Sequence, residues 1–316
     1  MQDGQNNKKK SHERQCQMAC RIMQDGKNKY TTTAGLPELR DKIAESWTHL
    51  SPNLNKSNVC ITMSGTNALL DVFLAIVDPG DNVLIPEPYF PLYPPDVVIC
   101  GGEPNLYPCN FEDGFIPRVE DLEKLVNEKT VAILYNFPSN PTGATVSMEQ
   151  RDQLVDFAVR NDLWIISDEV YDRIIYNEVH VSFLGAGHDK LFLINSFSKT
   201  FAMTGWRIGY IISPDEDAMV QINKMQYYVT ACSNDAMQYA VLSALENASD
   251  YPDMMRDEFK SRRDLICMRL NAMPGVTCHV PQGAFYVFPK VEVEGYNSKQ
   301  LALKILELGG VLCSPG

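Results

Sequence analysis

The sequence contains no apolar run long enough to cross a bilayer. Its polar N-terminus (Gln2 to Arg14, with Lys8-Lys9-Lys10) has no apolar core of the signal-peptide kind. Neither a membrane span nor a secretory leader is expected, and a cytoplasmic protein is the default reading. Basic residues are outnumbered, 28 Lys and Arg against 40 Asp and Glu, for a net charge of -12. That balance argues against nucleic acid or an anionic membrane as a general partner, yet leaves room for one basic pocket that grips a phosphate. Cysteine is present nine times but without a pattern: single residues are scattered from Cys16 to Cys313. An odd number cannot all pair within one chain. Only Cys16 and Cys20 stand at helical spacing, and free structural thiols and no metal are expected. Met1-Gln2-Asp3-Gly4 recurs as Met23-Gln24-Asp25-Gly26, but no longer period follows, which excludes a solenoid.

What is present is the texture of a soluble α/β protein. At 316 residues with 45% hydrophobic and 22% charged side chains, two domains are the natural expectation. From Tyr30 onward short apolar runs alternate with amphipathic stretches, the pattern of a mainly parallel sheet covered by helices. Strands are predicted at Val59 to Met63, Asn82 to Ile85, Val131 to Tyr135, Trp164 to Ser167, Leu191 to Asn195 and Ile208 to Ile212. Helices are predicted at Asn67 to Val77, Met148 to Asn161, and over a breakable stretch from Ala218 to Leu245. Asp78-Pro79-Gly80-Asp81 reads as a turn, and Ser147 with Gln150 as a capping box. After Tyr251-Pro252 a charged helix (Met254 to Leu270) leads to short strands near Thr277-His279 and Phe285 to Phe288, then a helix from Ser298 to Leu308. That rhythm reads as a smaller domain, and it breaks off soon after the strand-like Gly310 to Cys313, as in a truncated chain.

Four constellations carry chemistry. Asn195-Ser196-Phe197-Ser198-Lys199-Thr200 leaves an apolar strand, with Arg207 eight residues beyond the lysine. A lone lysine is most often a solvated surface residue. Here it leaves a buried strand, beside hydroxyls and a guanidinium able to anchor a phosphate, where desolvation makes an amine nucleophilic. Ser167-Asp168-Glu169-Val170-Tyr171 places Asp168 at the C-terminal end of a predicted parallel strand, the edge where α/β proteins hold ligands. A helix cap is the plainer use of such an acid. Asn136-Phe137-Pro138-Ser139-Asn140-Pro141-Thr142-Gly143 again follows a strand; standing alone it would be a turn, but the residue before a proline is pushed toward extended backbone, which frees the Asn140 amide to face a pocket. Ser64-Gly65-Thr66-Asn67 sits at a strand-to-helix junction, where a helix N-terminus offers N–H groups to an anion and a simple N-cap is the alternative.

In this order and at these separations, Ser-x-Ser-Lys with its arginine, Asp-Glu-Val-Tyr and Asn-Pro-Thr-Gly resemble the class I/II aminotransferases of the aspartate/aromatic type, which are fold type I enzymes dependent on pyridoxal 5'-phosphate (PLP). The resemblance spans Tyr30 to Gly316. It implies a large PLP-binding domain over residues 30–248, with a mainly parallel seven-stranded sheet, and a smaller, incomplete α+β domain over 249–316 behind an N-terminal segment 1–29. Lys199 would hold the cofactor as a Schiff base and then carry a proton, while Asp168 would pair with the pyridine nitrogen. Tyr171 and Asn140 would meet the ring oxygen, with Asn140 also near the substrate carboxylate. Ser64, Gly65, Thr66, Asn67, Ser196, Ser198 and Arg207 would hold the phosphate. Phe90, with Tyr89 as the alternative, would stack on the ring, and Tyr30 would reach the phosphate of a partner subunit in a homodimer. The implied reaction moves an amino group from an L-amino acid to a 2-oxo acid. A related lyase, a 1-aminocyclopropane-1-carboxylate synthase-like enzyme, or a truncated and catalytically weak PLP-binding protein are the alternatives. The segment before Tyr30 matches the family's N-terminal arm poorly, and the family's substrate-carboxylate arginine falls beyond Gly316.

Overall fold

A computed structural model of the chain describes residues 17–18, 20–176 and 179–316. The readings of the segment Gln2 to Arg14, of Met1 to Gly4 and of Cys16 lie outside them.

Seven strands form one sheet: β1 (Val59–Thr62), β2 (Asn82–Glu87), β3 (Glu103–Pro108), β4 (Thr130–Asn136), β5 (Trp164–Asp168), β6 (Leu191–Ser196) and β7 (Gly209–Ile212). Their order is β1-β7-β6-β5-β4-β2-β3. Only β7 runs antiparallel to its neighbours; the other pairings are parallel. The alternating side chains of the central strands feed two cores. Leu84, Ile133, Ile165 and Leu193 enter one, while Val83, Ile85, Leu134, Ile166 and Ile194 enter the other. A parallel sheet buried on both faces needs such continuous apolar runs, and each fully buried aliphatic side chain contributes about 1.5–3 kcal/mol.

The helices that matter are α1 (Pro37–Trp47), α2 (Gly65–Ile76), α3 (Tyr93–Ile99), α4 (Met148–Arg160), α5 (Glu216–Thr230), α6 (Asp235–Asn247), α7 (Tyr251–Asn271) and α8 (Ser298–Gly309). The expected capping box of α4 is formed: Gln150 N donates to Ser147 Oγ at 3.2 Å and Ser147 N to Gln150 Oε1 at 2.9 Å. The stretch Ala218 to Leu245 breaks where Ala231 turns left-handed, at φ 63°, and Asn234 caps the new helix α6.

Three expectations are corrected. The edge strand β3 was not foreseen, because Pro104 and Pro108 disguise it; an edge tolerates prolines that a central strand cannot. Phe285 to Phe288 is not a strand. Its approach is a single bridge between Ile175 and Gly283, and Ala284, at φ 54°, then turns the chain out of extended conformation. Gly310 to Cys313 has no regular structure. The strand expected near Thr277-His279 is present as β8 (Val276–Thr277), which pairs antiparallel with β9 (Lys290–Val291). None of the described helices is long and apolar enough to cross a membrane.

Candidate active site

The parallel strands bring their C-terminal ends to one edge. Asn136 on β4 stands opposite Asp168 on β5, and Ser196 on β6 stands opposite Gly209 on β7. Residues far apart in sequence therefore converge: Lys199, Asp168, Tyr171, Asn140, Phe90, Ser64, Gly65, Thr66, Ser196, Ser198 and Arg207 all line one cavity of about 180 Å³.

Lys199 lies in the short helical turn Phe197–Thr200 that follows β6. Its Nζ stands 5.8 Å from the centre of the Tyr171 ring and 5.4 Å from that of Phe285. Burial lowers its pKa, the nearby Arg207 lowers it further, and Asp168 opposes both. An amine in this state is closer to the neutral, nucleophilic form than an exposed lysine.

Asp168 is buried, and burial pushes its pKa up to about 6, against the donors that favour its anion. Those donors are the Tyr93 hydroxyl, 2.7 Å from Oδ2, and the Val170 N–H, 3.2 Å from Oδ1. Its neighbour Glu169 turns the other way. Glu169 Oε1 accepts from Ser167 Oγ, Ser182 Oγ and Phe183 N, and Oε2 meets His180 Nε2 at 2.6 Å. Burial favours the neutral imidazole, but the Glu169 charge and hydrogen bond, with Asp172, outweigh it and raise the His180 pKa. This buried clamp fixes the turn that carries Asp168 and Tyr171. Asn136 adds a second tie: its Nδ2 donates to the Asp168 carbonyl at 3.0 Å, and its Oδ1 accepts from Asn140 N at 2.7 Å.

The anion cup forms where β1, β7 and α2 meet. Ser64, the N-cap of α2, holds φ 98° and ψ 163°, a region that non-glycine residues rarely enter, and Arg207 is left-handed at φ 56°. Backbone strain of this kind persists where its surroundings over-determine it, and it gathers at functional sites. Gly209 is required here: a Cβ on it would stand 2.5 Å from Gly65 N and from Ser64 C.

Two of the named residues do not line this cavity, Asn67 and Tyr30, the latter having been expected at the phosphate of a partner subunit. Asn67 turns its side-chain oxygen back to accept from Met63 N at 2.9 Å and does not line the cavity. Tyr30 is 88% exposed, away from it. Of the two candidate stacking rings, both pack against the core on that side of the sheet, and only Phe90 lines the cavity. Tyr93, Leu69, Val170, Thr204 and Tyr286 line the site unforeseen. Tyr93 lay in the aromatic, proline-rich stretch Pro86 to Pro95, and Tyr286 in the aromatic run misread as a strand; nothing local linked either to its partner.

The donor set suits a phosphorylated, electron-accepting aromatic aldehyde. It offers a lysine of lowered basicity for the carbonyl and a buried carboxyl for a ring nitrogen. A phenol and an amide are there for a ring oxygen to meet, and hydroxyls, a helix N-terminus and a guanidinium are of the chemistry that binds a phosphate.

The family model for aminotransferase class I and II matches residues 3–316. The chain is 37% identical over 311 residues to a probable aspartate/prephenate aminotransferase of Aquifex aeolicus, covering 94% of this chain and 78% of the relative. It is 39% identical over 276 residues to an aspartate aminotransferase of Thermotoga maritima, covering 86% and 72%. Among solved structures, an aromatic aminotransferase from Pyrococcus horikoshii superposes with a TM-score of 0.91 at 34% identity, covering 96% of this chain and 83% of that one.

Proposed function

The chain belongs to the class I and II aminotransferases and is a PLP-dependent enzyme of that family, and from this premise we propose that Lys199 is its cofactor-binding lysine and proton carrier. The convergence of Lys199, Asp168, Tyr171 and Arg207 on one cavity supports this reading above all. Substrates are an amino acid and a 2-oxo acid. When bound, the cofactor supplies a carbonyl that condenses with amines and a ring that takes up the electron pair left at Cα.

The residues divide the remaining work. Lys199 would hold the cofactor and, once freed, would carry the proton from the substrate Cα to the cofactor's carbonyl carbon; its lowered basicity keeps the amine free to accept. Asp168 holds a proton on the ring nitrogen, and burial keeps water from competing for it. Tyr171 and Asn140 would hydrogen-bond the ring oxygen, Asn140 would also reach the substrate carboxylate, and Phe90 would stack on the ring. Ser64, Gly65, Thr66, Ser196, Ser198 and Arg207 bind the phosphate, with Asn67 shaping the turn beneath them. The exposure of Tyr30 supports a role in the cup of a partner subunit in a homodimer, and a cytoplasmic setting fits the sequence.

Reductive trapping with borohydride followed by peptide mass spectrometry is expected to find the pyridoxyl adduct on Lys199. An adduct on another lysine sinks the assignment. Lys199→Ala, which removes both attachment and base, should lower transamination by roughly three orders of magnitude or more, measured as keto acid formed from an amino-donor panel.

A further inference from the structure

Residues 282–286 lie outside every motif discussed above, yet they are sewn into the site. Tyr176 N donates to Gln282 O at 3.0 Å, Gly283 N to Gly143 O at 3.0 Å, and Ala284 N to Ile174 O at 2.9 Å. The Tyr176 hydroxyl donates to Ala284 O. Gly283 has no room for a side chain, since a Cβ would stand 2.6 Å from Pro138 Cβ, and Ala284 is fully buried in a left-handed conformation. A non-glycine residue keeps that conformation only where its neighbours impose it. The segment delivers Phe285 to the side of Lys199 and Tyr286 to Tyr171, with the two tyrosine hydroxyls 2.6 Å apart.

Two hydroxyls at this distance share one hydrogen. The Tyr171 oxygen has one proton and two lone pairs. If that proton goes to Tyr286, none remains for an anionic oxygen in the cavity. If Tyr286 donates instead, the Tyr171 proton is free to point inward, and each donor in such a chain strengthens the next. An oxyanion in the cavity selects the second arrangement. We propose that Tyr286 is a positioning residue that donates to Tyr171 and thereby strengthens Tyr171 as a donor to the cofactor's ring oxygen. The inference rests on the roles given above to Lys199 and Tyr171.

Its consequence falls on the nitrogen that joins Lys199 to the cofactor. A ring oxygen whose charge is better stabilised attracts that nitrogen's proton less, so the proton leaves at lower pH. Removing the Tyr286 hydroxyl therefore moves its loss to higher pH.

The test is a spectrophotometric pH titration of the cofactor-loaded chain. Tyr286→Phe should raise the midpoint of the visible band by roughly 0.5 to 1 pH unit. Tyr171→Phe and the double variant should titrate alike, because residue 286 acts only through 171. Tyr286→3-fluorotyrosine, a more acidic phenol of nearly the same shape, should move the midpoint down, and it reports even if loss of the hydroxyl loosens the segment. An unmoved midpoint in Tyr286→Phe, additive shifts in the double variant, or no downward movement with the fluorinated residue overturns the proposal. A wild-type chain that forms no titrating band on Lys199 sinks the reading of Lys199 and this inference with it. A band that titrates normally and ignores residue 286 sinks the inference alone.

Discussion

Among single side chains, Asp168 shows most directly how the site sets function against stability. Burial raises its pKa from 3.8 to about 6 even though Tyr93 and Val170 donate to it. The folded chain therefore binds a proton that the unfolded chain releases between those values. Stability without cofactor falls as pH rises through that window and stays reduced above it, by on the order of 3 kcal/mol. A bound ring nitrogen carrying its own proton relieves the cost. Asp168→Asn should thus stabilise the cofactor-free chain at pH 8 by about 1–2 kcal/mol, with the gain vanishing near pH 4. The same change should weaken cofactor retention. Urea denaturation at the two pH values reads the first effect, and a variant no more stable at pH 8 would show that burial of this carboxylate carries no such cost.

The elements around the cup impose their own limit. Gly209 on β7 faces backbone atoms of the Ser64–Gly65 turn, and backbone cannot swing aside as a flexible side chain can. Gly209→Ala should displace the turn, weaken PLP binding about tenfold or more and destabilise the fold by about 1–3 kcal/mol. Gly205→Ala, which meets open space, is the control. Equal cofactor affinities for the two variants, measured by absorbance titration, would refute the steric argument. This contrast marks how far the sequence could be read. The central strands were legible because both faces of the sheet need apolar residues, and the cup was legible as small and hydroxyl residues at a strand-to-helix junction. The close approach of Gly209 to Gly65 was not, since it depends on two strands meeting in space. Tyr93, Tyr286 and Asn136 were missed as site residues for the same reason: their partners Asp168 and Tyr171 stand 75, 115 and 32 residues away along the chain. Asn67 was placed in the phosphate group by its position at a helix start, but its side-chain oxygen accepts from the backbone of its own turn and it does not line the cavity.

For the whole molecule, we propose that residues 30–248 and 249–316 form two units of unequal stability, divided by how each buries its apolar surface. The sheet strands β4, β5 and β6 are buried almost throughout. Helix α8 buries no side chain, and the 21-residue α7 buries only Tyr251, Pro252, Arg263 and Cys267. A twelve-residue helix without a buried face has little beyond its own marginal propensity to hold it. Native-state hydrogen exchange should therefore find the amides of β4 to β6 opening only with global unfolding and those of α8 exchanging orders of magnitude faster. The segment at residues 283–284 makes the test sharper. It belongs to the smaller unit by sequence, but its amides donate to Gly143 and Ile174 of the larger. If contacts decide, Gly283 and Ala284 exchange with the strands, and the site keeps Tyr286 in place while α8 opens. If they exchange with α8 instead, the smaller unit opens as one body and carries Tyr286 away from Tyr171. Uniformly slow exchange across α8 and the strands would mean one cooperative unit and no division at residue 248.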